Sequence, residues 1–194
     1  MSKTLVMKFG GTSVGSTAAI RQIIEIVRHA KTEWDNLAIV VSAMSGVTDS
    51  LLSGAMERIK DAESAEHVSR TLREKHFSVL AEIANTSQDT HAVIDSCLEE
   101  YVNLCRATHV LGEVSPRALD AISSLGERMS APLVAAALSA VGAPAKAVDT
   151  REVIITDDIY QDASPLMDET RARCDAVVKP ILSHGAIPVL TGFI

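Results

Sequence analysis

The chain has 194 residues, is 47% hydrophobic but only 3% aromatic, and carries a formal net charge of −7. That length fits one domain or a large part of one, with a core built from Leu, Ile, Val, Ala and Met. The acidic balance argues against a nucleic-acid partner, which calls for basic patches, and no apolar run approaches the about 20 residues of a membrane span.

Thr4 to Phe9 reads as a short strand around the apolar run Leu5, Val6 and Met7. It leads into Lys8-Phe9-Gly10-Gly11-Thr12-Ser13-Val14, and Ser16 to Lys31 then carries Ile20, Ile23, Ile24 and Val27 at helical spacing. A lysine at a strand end, two glycines and two hydroxyls at a helix start make a corner suited to phosphate. Glycines let backbone N–H groups approach an anion with no Cβ in the way. A helix N-terminus adds donors and partial positive charge, and Lys8 adds a full charge. The same residues also read as an ordinary strand–turn–helix joint. The spelling is not a Walker A loop, which needs lysine directly after its last glycine, whereas Gly15 is followed by Ser16. It is not the Rossmann fingerprint either, because Thr12 stands where the second glycine belongs.

Leu37 to Val41 is a continuous, β-branched run suited to a central parallel strand covered on both faces. Ser42 to Thr48 is a small-residue loop at its carboxyl end, and Asp49 to Lys60 resumes a helical pattern. Ser64 to Asn85 and Thr90 to Leu111 read as long helices joined by the polar turn Asn85 to Asp89. They form an antiparallel hairpin inserted in the α/β pattern, suited to covering a site or making a subunit contact. Ser115-Pro116 opens a further helix with a hydroxyl cap and a proline in the first turn. It runs toward Val141 and stops at Gly142. Pro132 inside it predicts a kink beside Glu127, because the ring meets the Arg128 carbonyl.

Ala145 to Val148 and Val153 to Thr156 read as strands, Leu166 to Ser183 as a helix, and Ala186 to Thr191 as a strand with Pro188 at its start or at an unpaired position. This alternation predicts an α/β fold with an open, mostly parallel sheet and helices on both faces. In such sheets ligands sit beyond the carboxyl ends of the strands. Lys8 to Ser13, Ser42 to Thr48 and Thr191 to Phe193 all lie at such ends.

Cys97, Cys105 and Cys174 leave one thiol unpaired under any disulfide scheme, and no clustered His/Cys spacing suggests a metal. Cys97 and Cys105 read as buried, reduced core residues. The N-terminus has no apolar signal core before a small-residue cleavage site, so a cytoplasmic location is the expectation. His76 reads as a satisfied core histidine, Arg128 as structural, and the Arg171–Arg173 run as a solvated helix face.

Four segments, KFGGTSV (Lys8 to Val14), VVSAMSGVTD (Val40 to Asp49), SLGERMSAPL (Ser124 to Leu133) and IPVLTGFI (Ile187 to Ile194), resemble in order and spacing the aspartate kinases of the amino-acid kinase family. The resemblance covers essentially the whole chain. It implies a three-layer αβα sandwich with a mostly parallel central sheet, the amino-acid kinase or carbamate kinase-like fold, incomplete and with a helical hairpin insertion. It also implies that residues 1–194 are the amino-terminal, amino-acid-binding part of the kinase domain. The family's glycine-rich segment, nucleotide-binding half and ACT regulatory domains would then lie beyond Ile194.

The implied reaction is ATP-dependent phosphorylation of the L-aspartate side chain to 4-phospho-L-aspartate, the first step toward lysine, threonine and methionine. The implied partners are L-aspartate, ATP with Mg²⁺ and a second copy in a homodimer, with no protein-bound metal. On this likeness Lys8 stabilises charge on the transferring phosphoryl group, and Phe9, Gly10, Gly11 and Ser13 line its path. Ser42, Thr48, Glu127 and Phe193 line the aspartate pocket, with Glu127 pairing with the substrate's α-ammonium. Without the likeness, Thr48 reads as a plain helix cap and Glu127 as a solvated helix residue. The aspartate side chain, with a pKa of about 3.9, is already ionised and needs no general base. The chain alone is expected to be inactive; the alternative is a non-catalytic fragment that binds an amino acid or self-associates. Kinases of glutamate or an acyl amino acid are disfavoured by KFGGTSV.

Overall fold

The structure, a computed structural model, describes residues 3–57, 64–84 and 88–193. Four strands, β1 (Thr4–Phe9), β2 (Asn36–Val41), β3 (Ala145–Val148) and β4 (Ile187–Thr191), form a parallel sheet in the order β1-β2-β4-β3. Among the described residues six α-helices accompany them: α1 (Thr17–Ala30), α2 (Val47–Glu57), α3 (Ser64–Ile83), α4 (Gln88–Leu111), α5 (Pro116–Ala140) and α6 (Met167–Ser183).

The period-2 alternation of the strands divides the interior in two. Leu37, Ile39 and Val41 of β2 and Ile187 and Val189 of β4 point into a large core shared with α1 to α5. Val148 of β3 and Leu190 of β4 point the other way, onto Val177, Val178 and Ile181 of α6. The result is the expected three-layer α/β sandwich, with α6 alone among the described helices on the second face.

Local signals explain the elements. Ser16 caps α1, its side chain accepting from the Ala19 amide at 3.2 Å. The stripe Ile20, Ile23, Ile24 and Val27 is buried. Ser115 caps α5 through the Ala118 amide at 3.3 Å, with Pro116 in the first turn. The helix ends before Gly142, whose φ of 79° is open to glycine at little cost. Pro132 does not interrupt α5, although it removes the amide that would have served the Arg128 carbonyl. Pro188 falls at the second position of β4, opposite Lys146 of β3, and the register with β2 begins only at Val189. The missing donor therefore meets no partner strand on that side.

The hairpin is antiparallel, since Glu66 pairs with Arg106, Arg73 with Asp95, and Phe77 stacks edge-on to His91. It docks on α2 through Tyr101, whose hydroxyl donates to the Leu51 carbonyl at 3.1 Å. The expected helix end at Lys60 and residues Asn85 to Ser87 of the expected turn lie outside the described residues. Gln88 and Asp89 already belong to α4.

Three expectations are corrected. Val153 to Thr156 is not a strand. A 3₁₀ turn at Thr150–Glu152, capped by the Asp149 carboxylate on the Arg151 amide, precedes it. The Ile155 backbone then bonds to the Thr170 hydroxyl and the Leu166 amide. With those groups satisfied, only an isolated bridge from Thr156 to Pro165 remains. Helix α2 begins at Val47, so Thr48 lies inside its first turn and is not its cap. Thr12 and Ser13 occupy a turn in which Gly10 O accepts from the Ser13 and Val14 amides, and α1 starts only at Thr17.

Candidate functional site

The carboxyl ends of β1, β2 and β4 meet at one edge of the sheet, and α5 passes over them. Three glycines set how closely they approach. A Cβ on Gly11 would stand 2.9 Å from the Ala43 carbonyl oxygen, and one on Gly126 would stand 2.7 Å from the Ala43 Cβ. A Cβ on Gly192 would meet Val40 Cγ1 at 3.2 Å and Glu127 Oε2 at 3.6 Å. Ala43 in the loop after β2 is thus clamped between Gly11 and Gly126, and the end of β2 lies against Gly192, all backbone that carries no side chain. Gly10 differs, because a Cβ there would meet nothing within 4 Å. Of the paired glycines, Gly11 serves packing and Gly10 faces open space.

Hydrogen bonds lock the same junction. The Ser45 amide donates to Gly11 O at 3.1 Å, the Ser42 amide to Phe9 O at 3.0 Å, and the Gly192 amide to Val41 O at 3.0 Å. The Ser130 hydroxyl of α5 donates to Ser42 O at 2.8 Å. Thr48 Oγ1 lies 3.6 Å from where a Gly126 Cβ would be, which sets Thr48 beside the helical turn that carries Glu127.

Glu127 is the hub. It is only 9% exposed, and its carboxylate accepts from the Phe193 amide. The Gly192 and Ala43 amides and the Lys8 ammonium also act on it. Burial pushes its pKa upward, and those donors and the Lys8 charge pull against that shift without cancelling it. A solvated-helix reading of Glu127 is therefore overturned.

The predicted residues thus gather at this corner, with one exception in role. Lys8 and Gly10 are exposed, and Ser13, Ser42 and Thr48 are half-buried. Phe193 is 37% exposed, its amide taken by Glu127 and its carbonyl by the Thr150 hydroxyl at 3.2 Å. Phe9, expected on the phosphate path, turns its ring into the core with Leu5 and Met7. Strand alternation sends it to the opposite face from Lys8, so it touches the corner only through its backbone.

Two features escaped the sequence. Thr150 and Thr191 form a buried pair, hydroxyl to hydroxyl at 2.6 Å, with the Thr150 amide donating to Thr191 Oγ1 at 3.0 Å. This pair pins the end of β3 to the end of β4, and the rule that sites lie beyond strand ends was the available signal. Lys75 of α3 donates from Nζ to Ser45 O at 2.6 Å, and nothing local marks that lysine. Arg128, read as structural, sits 3.2 Å from Asp149 and 2.8 Å from Glu100, the latter close enough for an ion pair though off the line of a hydrogen bond. Burial alone would raise the Asp149 pKa, but Arg151 and Arg128 outweigh it and hold the carboxyl below its usual range. Among the described residues no group of three or more His, Cys, Asp or Glu is placed to hold a metal ion, and no helix is long and apolar enough to cross a membrane.

The Gly126 contact gives a direct test. Gly126→Ala gains helix propensity of up to about 1 kcal/mol, yet its Cβ would collide with a Cβ fixed to backbone. Overpacking of that kind costs about 1–3 kcal/mol, so net destabilisation is expected in urea melts. Adding Ala43→Gly should restore most of the loss, and simple additivity of the two changes would refute the contact.

A profile of the amino acid kinase family matches residues 3–194. Aspartokinase 3, chloroplastic, of Arabidopsis thaliana is 32% identical over 200 residues, a match that covers 98% of this chain and 34% of that protein. The aspartokinase of Chlamydia muridarum is 30% identical over 190 residues, covering 98% of this chain and 39% of its own length. The structure of E. coli aspartokinase III in complex with aspartate and ADP matches with a TM-score of 0.80 at 26% identity, over 97% of this chain and 40% of that one. The chain thus spans well under half the length of these relatives.

Proposed function

The chain belongs to the amino acid kinase family, and from that premise we propose that it is the amino-terminal, amino-acid-binding part of an aspartate kinase catalytic domain. The enzyme would transfer the γ-phosphoryl group of ATP to the side-chain carboxylate of L-aspartate, giving 4-phospho-L-aspartate. The observation that carries this reading is the meeting of Lys8, the open Gly10 turn and the buried Glu127 carboxylate at one sheet edge. The likeness to proteins named aspartokinase supports the choice of substrate.

The chemistry follows from charge. The nucleophile is an ionised carboxylate and the electrophile an anionic phosphoryl group, so repulsion is the obstacle and no base is needed. Lys8 offers a full positive charge beside a glycine with room for an anion. Mg²⁺ carried with ATP supplies further neutralisation when bound. Glu127 offers its remaining acceptor capacity to the substrate ammonium, since a carboxylate has about four lone-pair directions and backbone amides take up to three of them here. Thr48, Ser42 and the exposed part of Phe193 line the same pocket, and Ser13 lines the phosphoryl path.

The nucleotide-binding half and ACT regulatory domains are assigned to the remainder of such an enzyme. A cytoplasmic homodimer serving lysine, threonine and methionine synthesis completes the proposal. An ADP-release assay with aspartate, glutamate and acetylglutamate tests it, run on this chain and on a chain extended to the length of its relatives. Turnover with aspartate by the extended chain alone is expected. Preference for another acceptor, or binding of aspartate with no turnover in either chain, would overturn the reading.

A further inference from the structure

Lys75 stands apart from the two arginines that pair across the hairpin. Arg73 is spent on Asp95 at 2.7 Å and Arg106 on Glu66 at 3.4 Å, both within the hairpin. Lys75, two residues along α3 from Arg73, reaches out of it and donates to the Ser45 carbonyl at 2.6 Å. Ser45 is the residue whose amide is bonded to Gly11 O, and its Cβ lies 3.2 Å from where a Gly15 Cβ would be. Its neighbour Gly46 turns the chain at φ 76° into α2, which brings Thr48 to the corner. Ser45 is thus held on one side by the glycine turn and on the other by an ammonium from an inserted element.

We infer that Lys75 is a positioning residue for the reaction: by fixing the Ser45 carbonyl it holds the loop 42–46 against the Gly10–Gly15 turn and so sets the spacing between the anion corner and Thr48. This rests on the functional reading above. A charged donor suits the task, because a charge-assisted hydrogen bond is roughly twice as strong as a neutral one, and the long lysine stem spans from helix to loop. The hairpin keeps its own ion pairs without Lys75, so removing this ammonium loosens the loop and leaves the hairpin folded. The helical insertion thereby gains a role in the chemistry without touching substrate.

The test compares Lys75→Met, Lys75→Arg and the control Arg73→Met. Steady-state kinetics with aspartate and MgATP are measured on the chain extended to the length of its relatives, and hydrogen exchange at residues 10–15 and 42–48 on both lengths. Lys75→Met should lower kcat about tenfold through misplacement of the corner, with faster exchange at both segments. Lys75→Arg should recover most of the rate, and Arg73→Met should leave exchange at the loop unchanged. Wild-type kcat in Lys75→Met overturns the inference, whether or not exchange quickens, and so does unchanged exchange with a lowered kcat. If the unaltered extended chain does not phosphorylate aspartate, the functional reading fails, and the exchange data still decide whether Lys75 holds the loop.

Discussion

Replacing Lys8 with alanine in the extended chain is expected to lower kcat for aspartate phosphorylation by about 10²–10³-fold, equivalent to about 3–4 kcal/mol of transition-state stabilisation. The expectation rests on where the charge sits. Lys8 is exposed at the tip of β1, beside Gly10, where a side chain would meet open space. Its stem lies on the opposite strand face from Phe9 and the core, so the substitution leaves the packing intact. A thermal melt close to that of the parent chain should accompany the loss of rate.

The same change has a second readout. The Lys8 ammonium holds down the pKa of Glu127, which burial has already raised. Without Lys8 the Glu127 carboxyl takes up a proton at higher pH, so the acid limb of activity should move upward in pH. Near-normal turnover, or an unmoved acid limb in a variant that has lost its rate, would remove Lys8 from the proposed role.

His76 governs the second large effect, on stability. It is fully buried in α3, with Nδ1 bonded to the Leu72 carbonyl at 2.7 Å and Nε2 without a partner among the described residues. The expected satisfied core histidine is therefore only half satisfied. Burial, chiefly, lowers its pKa to about 4 from an ordinary 6.5. Above about pH 6.5 both folded and unfolded forms carry a neutral ring and the full stability is present. As pH falls toward 4 the unfolded chain takes up a proton that the folded chain refuses, and stability drains away. The gap corresponds to roughly 3 kcal/mol.

Other groups act elsewhere or in the opposite sense. Asp149, held below its usual range, costs stability only in stronger acid. Glu127, raised by burial, favours the folded state as pH falls. Urea melts between pH 7 and pH 4.5 should therefore show a loss that His76→Leu largely removes. An equal acid slope in the variant would assign the effect to other groups.

The strands and helices were legible wherever a pattern of one period ran long enough. The α1 stripe and the β2 run are cases where propensity, burial and flanking turns agree. The segment 153–156 failed because its β-branched residues suit a strand, while the Thr170 hydroxyl and the Leu166 amide claim the Ile155 backbone. Phe9 failed because a motif was read as a string, whereas a strand sends alternate residues to opposite faces. The placement of β4 between β2 and β3 depends on packing that no local pattern records. The family resemblance pointed to Glu127, but not to the amides of Gly192 and Phe193 that meet it from the far end of the sequence. Lys75 was invisible for the same reason, since its partner lies 30 residues away in the chain.

Among the described strands β1 lies at the margin of the sheet, and its Val6 is 63% exposed. An open strand margin with an uncovered aliphatic residue invites a second molecule to add on, and a lysine there is a common deterrent. Lys8, at that margin, would oppose such pairing as well as facing the corner. Chains that lack it should be handled dilute, so that self-assembly along β1 is not mistaken for a defect in phosphoryl transfer.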